Sequence, residues 1–284
     1  VHLDLLIPAA MGCPHDYALT PQDMQKLSRA DVLVINGLGM EAFVGAPLDK
    51  ANSKIVVIDS SKGIKDILQY RQMQGPEQSS NNSIHQDRHG VAQRHHHEDD
   101  HGPSGAHLHS EGANPHLFAS PKMAAVLAET IAHGLSKIDP GGEQAFTANA
   151  MAYAGRMNWL ADQFTSLGKR LKNNRIVTQH GVFDYLARDM GLRVVAVVQA
   201  HAGQEPSAAQ MLETVKTIKE ENAGAIFTEP QYPEKIGNTI AIEAGIPSAA
   251  LDPGATGPEN APLEYYEIIM QNNLKILENT LGTE

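Results

Sequence analysis

Between residues 175 and 281, short apolar runs alternate with amphipathic stretches four times. Strands are expected over 175–178, 193–198, 225–227 and 247–251. Helices are expected over 182–190, 208–221, 233–244 and 262–281. Gly191 and Gly245 stand where two of these helices stop, and Ser207 stands where one begins. Four βα units in succession leave little choice of architecture. Parallel strands need crossovers, crossovers are right-handed, and the helices must cover the sheet. The second half is therefore expected to be an α/β lobe.

The first half is less regular. Strands are expected over 3–7, 32–35 and 54–58, the last apolar enough to be buried on both faces. Thr20-Pro21-Gln22-Asp23 reads as a capped helix start: threonine caps, proline fills the first helical position, and Asp23 returns to the cap. Ser120-Pro121 repeats the device for a helix to about residue 137. A short helix is expected near 40–43. After the break at Asp139-Pro140-Gly141-Gly142, residues 143–172 contain no proline and read as one helix of about 45 Å, longer than a lobe needs. The expected organisation is a first lobe over 1–141, a connecting helix over 142–172 and a second lobe over 173–284. Three strands in front against four behind leave one βα unit missing from the first lobe. The chain opens on Val1 rather than Met, so it is expected to begin downstream of a natural start.

Composition excludes some classes of function. Asp and Glu number 33 against 22 Lys and Arg, a net charge of −11. That surface repels nucleic acid and suits cations. A single cysteine, Cys13, excludes an internal disulfide framework and a cysteine-rich metal site. No apolar run approaches the roughly 18 residues of a membrane span. The motifs GxSxG and GxxxxGK[ST] are missing.

Ligands of open α/β sheets bind beyond the carboxyl ends of the strands. Four metal-ligand side chains occupy such places. His15 lies in the loop after the first expected strand, and His116 at the end of the long loop before the Ser120 cap. His180 follows strand 175–178 at once, and Asp252 follows the strand ending at Leu251. Two come from each half, so a cleft between lobes would gather all four. Three imidazoles and a carboxylate make a tetrahedral zinc shell. His201 also follows a strand and is the rival ligand. Cys13 is a further candidate ligand, Asp252 before Pro253-Gly254 doubles as a turn residue, and Glu229 after strand 225–227 faces the same cleft. His133 sits within a helix and is expected on its surface.

A second histidine signal lies within the loop 71–113. His85, His89, His95, His96, His97, His101, His107 and His109 alternate with Asp87, Glu98, Asp99 and Asp100 among Gly, Ser, Asn and Gln. Such a tract cannot pack a core, so disorder is expected. It is a secondary, low-affinity metal-binding loop on this reading.

Several segments together resemble a known family. They are Pro14-His15-Asp16-Tyr17 with Leu19-Thr20-Pro21, Asn36-Gly37-Leu38-Gly39-Met40-Glu41, Asn114-Pro115-His116 with Ser120-Pro121, His180-Gly181-Val182-Phe183-Asp184-Tyr185, and Leu251-Asp252-Pro253-Gly254. In order and spacing these are similar to the metal-specific solute-binding proteins of ABC importers, in their zinc-type, ZnuA-like branch. The resemblance implies two α/β lobes joined by one rigid helix, with metal in the cleft. It implies His15, His116, His180 and Asp252 as ligands, Zn2+ as the metal, and an ABC permease as partner. It also implies a periplasmic or otherwise extracytoplasmic protein, free or lipid-anchored, monomeric and not an enzyme. Histidine rather than a carboxylate at position 180, and the His-rich loop, point to zinc within the family. The readings that compete are a manganese or iron carrier, a zinc-dependent hydrolase, and a storage protein or adhesin that uses the His tract alone.

Overall fold

The computed structural model describes residues 2–12, 14, 17–70, 112–199 and 205–283. Cys13, His15, His201 and the eight histidines of the loop lie outside these.

In the first half, helix α1 (Pro21–Arg29) starts as its sequence dictates. Thr20 Oγ1 accepts the N–H of Asp23, and the Asp23 carboxylate accepts the N–H of Thr20 at 2.8 Å. Strands β1 (Val32–Ile35) and β2 (Val56–Asp59) pair in parallel. Between them lies α2 (Gly45–Ala51), preceded by a 3-10 turn at Ala42–Val44. Two expectations fail here. Residues 3–7 form no strand: the Leu5 carbonyl accepts from Lys26 Nζ at 2.6 Å rather than from a neighbouring strand, and Leu3 and Leu5 are exposed. β2 is not buried on both faces either. Val56 and Val57 are exposed and only Ile58 is buried, because among the described residues the sheet has two strands and too little cover.

Helix α3 (Pro121–Ile138) follows the Ser120 cap, and α4 (Glu143–Gly168) runs back along it. Every three or four residues along α4 a side chain faces the core: Ala150, Ala154, Met157, Leu160, Phe164 and Leu167. At about 39 Å, α4 is the longest helix among the described residues. It ends four residues before the expected 172, because the backbone turns to pair with the C-terminal segment. Leu171 bridges Thr283, and the Lys172 N–H reaches the Gly282 carbonyl at 3.2 Å. The last residue of α4 is a necessity of packing: a Cβ on Gly168 would lie 1.9 Å from the Met190 carbonyl oxygen.

The second half follows the expected alternation. β3 (Arg175–Thr178), α5 (Asp184–Met190), β4 (Arg193–Val197), α6 (Ala208–Glu221), β5 (Ala225–Thr228), α7 (Lys235–Ala244), β6 (Ser248–Ala250) and α8 (Tyr265–Leu281) succeed one another. The four strands are parallel in the order β4-β3-β5-β6. Gly191 and Gly245 end α5 and α7 in the left-handed conformation, at φ +77° and +74°. One core, built on Phe164, Phe183 and Phe227, lies between this sheet and helices α4, α5 and α8. A second, built on Val177, Ile218, Ile226 and Ile240, lies between its other face and helices α6 and α7. The strand order reverses between β3 and β5. That is the switch point at which doubly wound sheets open a crevice at their carboxyl ends.

Candidate metal centre

His180 and Glu229 occupy that switch point. His180 comes two residues after the end of β3, and Glu229 comes directly after β5. The strands are held in register beyond the sheet by the Gln179 N–H donating to the Phe227 carbonyl at 2.9 Å. Glu229 is completely buried and its carboxylate accepts a hydrogen bond from His180 Nδ1. Burial holds the Glu229 carboxyl above its ordinary range, and the contact with His180 offsets only part of that. Its other oxygen accepts from Gln231 Nε2 at 2.6 Å. The ring of Tyr232 lies edge-on to His180 with centroids 5.9 Å apart.

His116 arrives from the first half. Residues 68–70 and 112–114 pair antiparallel where the long loop leaves and returns: the Tyr70 N–H reaches the Gly112 carbonyl at 2.6 Å, and the Asn114 N–H reaches the Leu68 carbonyl at 2.7 Å. His116 follows this ladder and leads into a 3-10 turn at Leu117–Ala119. It is fully buried. Its Nδ1 lies 2.8 Å from Asn114 Oδ1, and its ring meets that of His180 edge to face at 5.0 Å between centroids.

The segment that carries His116 is fastened mainly to the second half. Asn114 Nδ2 donates to the Gly181 carbonyl, the Tyr185 hydroxyl to the Asn114 carbonyl, the Tyr266 hydroxyl to the Phe118 carbonyl, and Ser120 Oγ to Asp189. From the first half, Asn36 Nδ2 reaches the Pro115 carbonyl at 2.8 Å. Asn36 is itself held, because Glu41 accepts its N–H and that of Gly37 at 2.7 and 3.1 Å.

Asp252 is partly buried beyond β6. One carboxylate oxygen accepts the Gly254 N–H at 2.8 Å, so it does serve as a turn residue, with Gly254 at φ +76°. Its backbone is clamped by the buried Asn273 of α8. Asn273 Oδ1 accepts the Asp252 N–H at 3.1 Å, and Asn273 Nδ2 donates to the Asp252 carbonyl at 2.7 Å. Burial raises the Asp252 carboxyl above the ordinary range. Asp252 also acts electrostatically on Glu229, which places the two carboxylates in one neighbourhood. Of the expected ligands the structure brings His116 and His180 into contact. Among the described residues, no three His, Cys, Asp or Glu side chains gather closely enough to hold a metal ion. His15 and its rivals His201 and Cys13 lie outside those residues. Ahead of the Thr20 cap, Tyr17 is buried and donates its hydroxyl to Asp23 at 2.6 Å, anchoring the exit of the loop to which His15 belongs. His133 is exposed on α3, as expected.

One supporting residue went unnoticed in the sequence: Asn273, which clamps the backbone of Asp252, carries no local signal. Asn114 did stand in the motif before His116, and Glu229 stood at a strand end.

Comparisons with known proteins extend over the whole chain. Residues 1–280 match the family described as zinc-uptake complex component A, periplasmic. The chain is 30% identical over 285 residues to the zinc-binding lipoprotein AdcA of Streptococcus pneumoniae serotype 4, an alignment covering all of this chain and 52% of AdcA. It thus spans about half the length of that relative. It is 30% identical over 282 residues to the high-affinity zinc uptake system protein ZnuA of Bacillus subtilis, covering 98% of this chain and 80% of that protein. A crystal structure of a ZnuA deletion mutant with zinc bound superposes with a TM-score of 0.72 at 25% identity, covering all of this chain and 91% of the other.

Proposed function

The chain belongs to the family of periplasmic zinc-uptake components, and from that premise we propose that it captures zinc outside the cytoplasm and hands it to an ABC-type membrane permease. The observation that carries this reading is the pair of buried rings, His116 and His180, one from each half of the chain. Each has its Nδ1 against a fixed oxygen, that of Asn114 or Glu229. A ring oriented through Nδ1 offers Nε2 as ligand, the usual arrangement of histidine at zinc.

The proposed shell adds His15 as a third nitrogen and Asp252 as the oxygen. Three nitrogens and one oxygen suit zinc better than manganese or iron. Four protein ligands close the coordination sphere, whereas catalytic zinc keeps a position open for water. The protein therefore carries metal and breaks no bond. In this reading residues 1–141 and 173–284 are two lobes, α4 and the residues to 172 connect them, and the carrier acts as a monomer, free or lipid-anchored. The relatives named for zinc binding and zinc uptake support the choice of metal. The His-rich stretch from His85 to His109 serves as a weaker collecting site.

X-ray absorption at the zinc edge of protein loaded with one equivalent tests the shell. The expected result is imidazole nitrogens at about 2.0–2.1 Å, at least two of them, with one carboxylate oxygen. An all-oxygen shell, or fewer than two imidazoles, would overturn it.

A further inference from the structure

Resting on the zinc-carrier reading, we propose that Asn114 is a positioning residue, which fixes the ligating nitrogen of His116 and ties that ring to the peptide following His180. Asn114 is fully buried. Its Oδ1 accepts the backbone N–H of His116 at 3.0 Å and faces His116 Nδ1 at 2.8 Å. Its Nδ2 donates to the Gly181 carbonyl at 2.8 Å and to Asp184 Oδ2 at 3.1 Å. Both donors and both acceptor positions of the amide are thus in use.

This network leaves the amide one orientation. Turned over, it would aim its oxygen at the Gly181 carbonyl and the Asp184 carboxylate, and its NH2 at the His116 N–H. With oxygen towards His116, Nδ1 of the ring carries the proton. In the neutral imidazole the lone pair is then on Nε2. The same amide grips Gly181, the neighbour of His180, and Asp184, the first residue of α5. One side chain therefore selects the tautomer of one ligand and sets its distance from the other. The peptide of Asn114 is held in turn by Tyr185, whose hydroxyl donates to the Asn114 carbonyl at 2.7 Å and accepts the Leu68 N–H at 3.1 Å. Protein hydrogen bonds thus hold the His116 ring in place, which lowers the entropy lost when it binds a ligand.

Asn114→Ala removes both roles. Asn114→Asp keeps the acceptor facing His116 but loses both donors. Ser120→Ala is the structural control: it breaks the hydrogen bond to Asp189 at the far end of the same segment and touches neither ring. The readouts are long-range 15N NMR of the histidine rings in metal-free protein, and zinc affinity by chelator competition. In wild type His116 should be the Nδ1–H tautomer. Asn114→Ala should mix the tautomers and weaken zinc binding about 10–100-fold. Asn114→Asp should keep the tautomer and lose less affinity. Ser120→Ala should lower Tm and leave the tautomer and zinc affinity as in wild type. A wild-type tautomer and affinity in Asn114→Ala would overturn the proposal, as would an equal loss in Ser120→Ala or in Asn114→Asp. Should Asn114→Ala not fold, the tautomer in Asn114→Asp decides the matter: loss of the Nδ1–H form there would overturn the proposal. Failure of wild type to bind zinc would instead overturn the carrier reading, and the tautomer assignment would still be read from the metal-free spectra.

Discussion

The rings of His116 and His180 meet edge to face, 5.0 Å between centroids and 80° between planes, across a segment that leaves the first half of the chain and is bonded to the second. A ligand pair shared between halves needs such fastening. Two rings brought in by mobile loops would have to be ordered at each binding event, at a cost of about 0.5–1.5 kcal/mol for each rotamer-rich side chain. Here the ordering is done by the fold.

Glu229 should tune the second of these rings. A buried carboxylate on His180 Nδ1 makes Nε2 a stronger donor to metal, and the charge of the bound cation offsets the cost of burying the carboxylate. Glu229→Gln keeps an oxygen for the hydrogen bond and removes the charge. Zinc affinity, measured by chelator competition, should fall about tenfold with little change in fold. An unchanged affinity would show that His180 does not bind metal through Nε2.

Asn273 should matter to Asp252 through the backbone alone. Its side chain satisfies both the N–H and the carbonyl of Asp252 from a fully buried position. Asn273→Ala leaves two backbone groups without that partner and should cost about 2–3 kcal/mol of unfolding free energy in a urea titration. If Asp252 supplies the oxygen ligand, zinc affinity should fall as well. A variant as stable as wild type would contradict the clamp.

Stability in acid should depend on Asp23. Burial pushes its carboxyl up, but hydrogen bonds from the Tyr17 hydroxyl and from Thr20 outweigh it, so the folded value lies below the ordinary one. Such a group contributes stability that is full above the unfolded value, near pH 4, and lost as pH falls through the folded one. Asp23→Asn should therefore have a lower Tm than wild type near neutral pH, by an amount equivalent to about 1–2 kcal/mol. The gap should close as pH drops below about 4. A gap that stays constant with pH would contradict the assignment.

Much of this was legible in the chain itself, for physical reasons that differ by element. The caps at Thr20, Ser120 and Ser207 and the glycine stops at 191 and 245 are local chemistry, and each appears where its residues demand. The βα alternation gave the parallel sheet, and the strand-end rule drew attention to His180, which the structure sets beside His116. The apolar run at 3–7 misled, because a strand needs a partner and its hydrophobicity does not supply one. β2 misled similarly: its composition suits a buried strand, but burial depends on what covers it. Tyr185 stood in the motif after His180, but its role and that of Asn273 could not be read, since both act on carbonyls and N–H groups far away in sequence.

The His-rich loop should be separable from the cleft. Its two ends are pinned together by the pairing of residues 68–70 with 112–114, so a short linker can replace what lies between. Deleting 85–109 should reduce the number of weakly bound zinc ions in a calorimetric titration and leave one tight site. Loss of the tight site would show that the loop supplies a ligand to it.

The central claim is that His116 and His180 hold zinc in the cleft. It is tested most directly by competitive titration of metal-free protein with zinc and manganese, for wild type and His180→Ala. The account predicts one tight site that prefers zinc, weakened at least a hundredfold in His180→Ala, as expected when one of a few ligands is lost. A preference for manganese, or a His180→Ala protein that binds zinc as tightly as wild type, would contradict it.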